Sequence, residues 1–256
     1  MTKKQFEAFE KFRSEYKKLC MQWNVCKEEL QVLQKKAAEK DTPEYSLENA
    51  VVYNVDYDKI TEKDEIHLIV IGDNPGKEEQ FNKNQRFLVG QSGRIAEGFF
   101  ARNPELKTDF RKNVIIMNKT PVHTAKTAHL KYLLKNGSKE IQDLIKESQI
   151  KMAVMAAEFH QALVENADEN AMLPELWLVG YSELKKKGIF ELYREEFKNA
   201  YKDKTNEWSY VFVYQHFSMN RFIVDLNSYR AENQSESLKS ALKKIGLKHK
   251  KEIFEQ

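Results

Sequence analysis

LIVIGDNPGKEEQFNKNQRFLVGQSGR, residues 68–94, is the stretch on which the fold turns. Leu68, Ile69, Val70 and Ile71 run into Gly72, and Asp73-Asn74-Pro75-Gly76 then opens a long polar loop. A strand with one wet face would alternate apolar and polar residues, so an unbroken apolar run ended by glycine predicts a strand buried on both faces of a parallel sheet. The turn residues bend the backbone at the strand's carboxyl end, the edge at which open α/β sheets bind ligands.

On either side of this stretch, apolar runs alternate with helical periodicity. Residues 65–72, 113–118 (NVIIMN), 151–157 within KMAVMAAE, and 210–215 (YVFVYQ) read as four strands. Helices are expected from about Ser92, over 126–135 and 138–148, near 158–166, and over 189–202, with Ser138 capping the helix over 138–148 after Asn136-Gly137. A polar loop at 231–237 leads into a C-terminal helix. Strands alternating with helices predict right-handed crossovers, hence an α/β fold of three layers, α/β/α, around a central four-stranded parallel sheet.

Before the sheet, Phe6, Phe9, Phe12, Tyr16, Leu19, Trp23, Cys26, Leu30 and Leu33 recur at spacings of three and four. They predict one long amphipathic helix, or two joined near Asn24, docked on the main body. Pro43 ends the linker that follows. The chain thus divides into an N-terminal helical extension, 1–41, and an α/β/α domain, 42–256.

Composition narrows the function. Of 256 residues 41% are hydrophobic, enough for a substantial core, and 32% are charged, above the roughly 25% usual for soluble proteins. No apolar run approaches the roughly 20 residues that span a bilayer, and MTKKQFEAFEKF lacks a signal-peptide core. A cytoplasmic monomer with no membrane partner is expected. Cys20 and Cys26 are the only cysteines, too few for a disulfide framework or a four-cysteine cluster. His67 falls inside a strand, and His129, His160 and His249 lack metal-ligand partners at suitable spacing, so no metal site is expected. A net charge of +3 means that any basic face must be local.

In a parallel sheet the residues after each strand share one rim. The first strand delivers Gly72, Asp73 and Asn74; the second Asn118, Lys119 and, four residues on, His123; the fourth His216, Phe217 and Ser218. Two amides, a carboxylate and a histidine converging at strand ends form a candidate site.

These segments resemble the motifs of the uracil-DNA glycosylase superfamily. GDNPG (72–76) is similar to the first motif of its N-P-G branches, and RFLVGQSG (86–93) to the P-F-V-G-x-x-G segment of its iron–sulfur branch. IMNKTPV (116–122) resembles the motif whose asparagine reads the base, and HFSMNR (216–221) the late H-P-S motif, with Phe217 in place of proline. The likeness covers roughly residues 65–224, without the cluster cysteines of the iron–sulfur branch. It implies a four-stranded parallel sheet between helices, DNA containing a damaged base as partner, and a glycosylase needing no metal or cofactor.

The resemblance also implies roles. Asn74 or Asp73 would hold or activate the water that attacks the sugar, and His216 would donate to the base oxygen that becomes negative. Asn118, with one acceptor and two donors, would match the O4 and N3–H edge of uracil and disfavour cytosine. Phe87 would stack on the flipped base, with Gly72 beside it. Ser218, Lys119 and His123 would contact phosphates. Two other readings stay open: a nucleic-acid-binding member of the fold without catalysis, and an unrelated α/β hydrolytic enzyme that uses the same rim for a small substrate. Neither a G-x-S-x-G elbow nor a phosphate-binding G-x-x-x-x-G-K-[S/T] is present to favour the last.

Overall fold

The computed structural model describes residues 1–169 and 171–255. Four strands, β1 (Leu68–Gly72), β2 (Val114–Asn118), β3 (Glu175–Val179) and β4 (Val211–Tyr214), pair in parallel in the order β2-β1-β3-β4. Every residue of β1, β2 and β4 is buried, which requires cover on both faces and gives the three-layer α/β/α fold. From β1 the chain crosses to one neighbour, β2, and returns to the other, β3. The strand order therefore reverses beside β1, and a crevice opens there at the carboxyl ends.

The third strand differs from the sequence expectation. Residues 151–157 lie inside one helix, α5 (Lys139–Glu165), which also absorbs both expected helices at 138–148 and 158–166. Met152, Ala153, Met155, Ala156, Ala157 and Phe159 are all buried, and a helix covered on most sides presents an unbroken apolar run just as an inner strand does. Alanine and methionine favour the helix, and neither glycine nor proline interrupts 139–165. Ser138 caps it as expected, its hydroxyl accepting from the Ile141 N–H at 3.3 Å. The true strand, ELWLV, sits between Pro174 and Gly180.

The N-terminal residues form α1 (Lys3–Trp23) and α2 (Lys27–Ala38), joined by a tight turn at Asn24–Cys26. Their apolar stripe is docked: the Phe12 ring stacks on Phe159 of α5 at 5.5 Å between centroids. Gln34 of α2 is buried and donates to the carbonyls of Ala50 (3.0 Å) and His123 (2.6 Å), tying the extension to the loop after β2. Tyr57 and Asn54 donate to the Ile116 carbonyl at 2.7 and 3.2 Å, blunting the free edge of β2.

Around the sheet run α3 (Gln91–Arg102), α4 (His129–Asn136), α6 (Glu191–Ala200), the short α7 (Thr205–Trp208), α8 (Arg221–Glu232) and α9 (Leu238–Phe254). Tyr214 of β4 donates to the Leu242 carbonyl of α9 at 3.0 Å. Among the described residues no helix is long and apolar enough to cross a membrane, and no group of three or more His, Cys, Asp or Glu could hold a metal ion.

Candidate active site at the carboxyl edge of the sheet

A cavity of about 620 Å³ opens at the strand ends, lined by Gly72, Asp73, Asn74, Asn118, Gly180 and His216, with Met219 and Arg221 among the residues completing it. The sequence-derived candidates Asp73, Asn74, Asn118, His216, Gly72 and Ser218 thus meet around one space. It is the carboxyl-edge crevice that the strand order requires.

Asn74 is held by its nitrogen. Its Nδ2 donates to the Thr124 hydroxyl at 2.8 Å and the Val122 carbonyl at 3.2 Å. A carbonyl only accepts, so the amide orientation is determined and Oδ1 is left as an acceptor for whatever enters the cavity.

His216 is equally constrained. The Ser218 backbone N–H donates to its Nδ1 at 3.0 Å, and the Ser218 hydroxyl lies 2.8 Å from the same atom. A backbone N–H only donates, so Nδ1 accepts and the ring proton of the neutral imidazole sits on Nε2. Burial pushes the imidazole below its ordinary value, partly offset by the nearby charge of Asp73, so His216 is neutral at pH 7. It offers the cavity an N–H donor without a positive charge.

The sequence departure at Phe217 leaves this turn intact. Phe217 has φ −65°, the angle at which a proline ring would fix it. Its ring is wholly buried, 4.9 Å from Phe222. Packing supplies the restraint that a pyrrolidine would have supplied covalently.

Asn118 ends β2 directly beside Gly72. Its side chain is buried and its Nδ2 has no hydrogen-bond partner. An unmet buried donor costs roughly 1–3 kcal/mol.

Three expected contacts are corrected by burial. Phe87 is wholly buried and does not line the cavity; Leu88 takes that place. The chain reverses through left-handed residues Gln85 (φ 38°) and Leu88 (φ 50°), and the Phe87 ring goes to the core. His123 is also at 0% exposure, its Nδ1 bonded to the Pro75 carbonyl at 2.8 Å, and desolvation lowers its pKa to about 4. It buttresses the motif loop rather than facing a phosphate. Lys119 is likewise at 0% exposure, with Nζ 2.6 Å from Asp73 Oδ1 and 2.6 Å from the Val179 carbonyl. Ser218 stays partly exposed, but its hydroxyl is engaged with His216.

Several lining residues escaped the sequence reading. Glu79 is buried, and its carboxylate accepts from the N–H groups of Gly76 (3.1 Å) and Leu88 (2.9 Å), which closes the loop carrying Asn74. Burial raises its pKa to about 7 against those two bonds. Gly180, at φ 96°, is placed where any Cβ would lie 2.2 Å from Asp73 Oδ1. A glycine directly after an apolar run was the signal for it. Met219 is 75% exposed at the cavity mouth, and both it and Asn220 are left-handed, at φ 55° and 56°. Non-glycine residues in that region cost on the order of 1–3 kcal/mol each, and such strain concentrates at functional sites.

Comparison with known protein families, curated proteins and solved structures returns no match to this chain. The class defined by fold and site is therefore an α/β/α protein with a polar cavity at a strand-order reversal.

Proposed function

We propose that this protein is a DNA glycosylase that hydrolyses the N-glycosidic bond of uracil or a related deaminated base. The observation that carries the reading is a neutral His216 with its proton on Nε2, lining the same cavity as Asp73, Asn74 and Asn118. The Nε2–H calls for an acceptor on the base, and the Asn118 amide suits a pyrimidine edge on which deamination has turned the 4-position donor into an acceptor and N3 into a donor.

In this reading Asn74 Oδ1 and Asp73 hold a water against C1′ of the sugar. The C1′–N bond breaks with its electron pair passing to the base, the water oxygen bonds to C1′, and a water proton passes to the Asp73 carboxylate. His216 donates to the base oxygen on which negative charge grows, an interaction worth most where water is excluded. Because the imidazole is neutral, it stabilises the departing anion without competing for a proton.

The base must first leave the stack. Met219, apolar and exposed at the mouth, is suited to fill the gap in a duplex, as apolar side chains do when they wedge between base steps. Exposed Arg221 and Lys126 beside it take the phosphate role that buried Lys119 and His123 cannot.

The test uses end-labelled oligonucleotides carrying one uracil, hypoxanthine or xanthine, single-stranded and duplex, followed by alkali cleavage of abasic sites. Strand scission at the modified base is expected. DNA binding with no base release from any of these substrates would replace the glycosylase by a binding protein of the same fold.

A further inference from the structure

We infer that Lys119 is a positioning residue, which fixes Asp73 as the carboxylate acting on the hydrolytic water in a socket closed by Gly180. The inference rests on the glycosylase reading and assigns Lys119 a task different from phosphate contact.

Lys119 leaves the end of β2 and reaches beneath the ends of β1 and β3. Its Nζ lies 2.6 Å from Asp73 Oδ1, 2.6 Å from the Val179 carbonyl and 3.4 Å from the Gly72 carbonyl. An ammonium has three protons and no lone pair, so three oxygens match the charged form, whereas a neutral amine would bring its lone pair against one of them. The ring of Phe190, 5.1 Å from Nζ, adds a negative aromatic face. Its backbone N–H is also spent, donating to the carbonyls of Gly72 (3.0 Å) and Asp73 (3.1 Å).

A wholly buried lysine is costly, several kcal/mol for the ion alone, and replacing such a pair with apolar residues is often neutral or stabilising. Stability therefore gives little reason to keep it. Its effect on the cavity gives a better one. With Oδ1 bound to Nζ and a hydrogen in place of a side chain at Gly180, the Asp73 carboxylate has one seat, and Oδ2 is left for a water. The pair also acts on its neighbour: Asp73 raises the proton affinity of His216, and Lys119 lowers it. Glu183 and Arg221 complete the charges facing this group. Without Lys119, an uncompensated carboxylate beside His216 would favour the imidazolium and spoil the neutral donor.

The experiment compares Lys119→Met, Asp73→Asn, the double variant and Gly180→Ala with wild type. Single-turnover rates and half-saturating protein concentrations are measured on a uracil oligonucleotide, with thermal melts to establish folding. Lys119→Met is expected to lower the maximal rate on the order of a hundredfold at unchanged half-saturation. The double variant should be no slower than the slower single variant, because the two residues act as a unit. Should Lys119→Met fail to fold around its unpaired carboxylate, Gly180→Ala, which keeps both charges and displaces the carboxylate at the added cost of an alanine at φ 96°, must, once thermal melts show it folded, give the same loss of rate at unchanged half-saturation.

A folded Lys119→Met within about threefold of the wild-type rate, or losses that multiply in the double variant, would overturn the inference. So would a rise in half-saturation with a shallower salt dependence, the signature of a phosphate contact. The two readings fail separately: an inactive wild type removes the glycosylase and this role with it, whereas an active wild type with a fast Lys119→Met removes only the role.

Discussion

Gly72 and Asn118 face each other in register across β1 and β2, so closely that a Cβ on residue 72 would lie 2.6 Å from Asn118 Oδ1. The missing side chain on one strand makes room for the asparagine of the next to lean over it into the cavity. Gly72 serves the site through this close approach, its backbone needing no left-handed angle.

Gly72→Ala is therefore expected to cost about 1–3 kcal/mol by overpacking and to lower base release by displacing Asn118. Gly72→Ala/Asn118→Ala should regain most of the stability and none of the activity. Urea denaturation midpoints beside single-turnover rates check this; a double variant as unstable as the single would show that the clash lies elsewhere.

Asn74→Ala and His216→Ala should each slow uracil release on the order of a hundredfold or more, since the proposed mechanism has both act on the transition state. Affinity for undamaged DNA should barely move in a salt-matched titration. Asn118→Asp keeps an acceptor for N3–H and loses the donor for O4, so its discrimination against cytosine should fall together with its rate on uracil.

Met219→Gly should leave the fold as stable or more stable, by about 0.5–1 kcal/mol, because glycine adopts φ 55° without strain. Release from duplex DNA should fall while release from a single strand, which needs no wedge, stays within a few-fold. An equal loss on both substrates would count against the wedge.

Acid should destabilise the protein through its buried histidines. His123 and His160 are each held down to about 4 by burial, against an unfolded value near 6.5. Between those limits the unfolded chain binds protons that the folded one refuses. Their contribution is thus intact above about 6.5 and is lost as pH falls toward 4, at about 1.4 kcal/mol per pH unit for each fully differing proton. Glu79, raised to about 7, runs the opposite way from 7 down to its unfolded value and offsets one histidine. Denaturant melts from pH 7.5 to 4 should show falling stability, with a steeper fall for Glu79→Gln.

The sequence by itself determined the fold class and most of the rim. Unbroken apolar runs ended by Gly72, Asn118 and the segment before His216 are legible because a strand inside a parallel sheet buries both faces and must stop at polar turn chemistry. The docked stripe of α1 and α2 was legible because an amphipathic helix repeats its apolar face every three to four residues. Tertiary structure alone decided the rest. Residues 151–157 are equally apolar as a buried helix or a buried strand, and only the competition of ELWLV for the place beside β1 settles which it is. Whether a charged residue after a strand meets solvent or dives under its neighbour depends on where other strands end. Lys119 is buried because the Asp73 carboxylate and the Val179 carbonyl, 46 and 60 residues away in the chain, arrive at its ammonium.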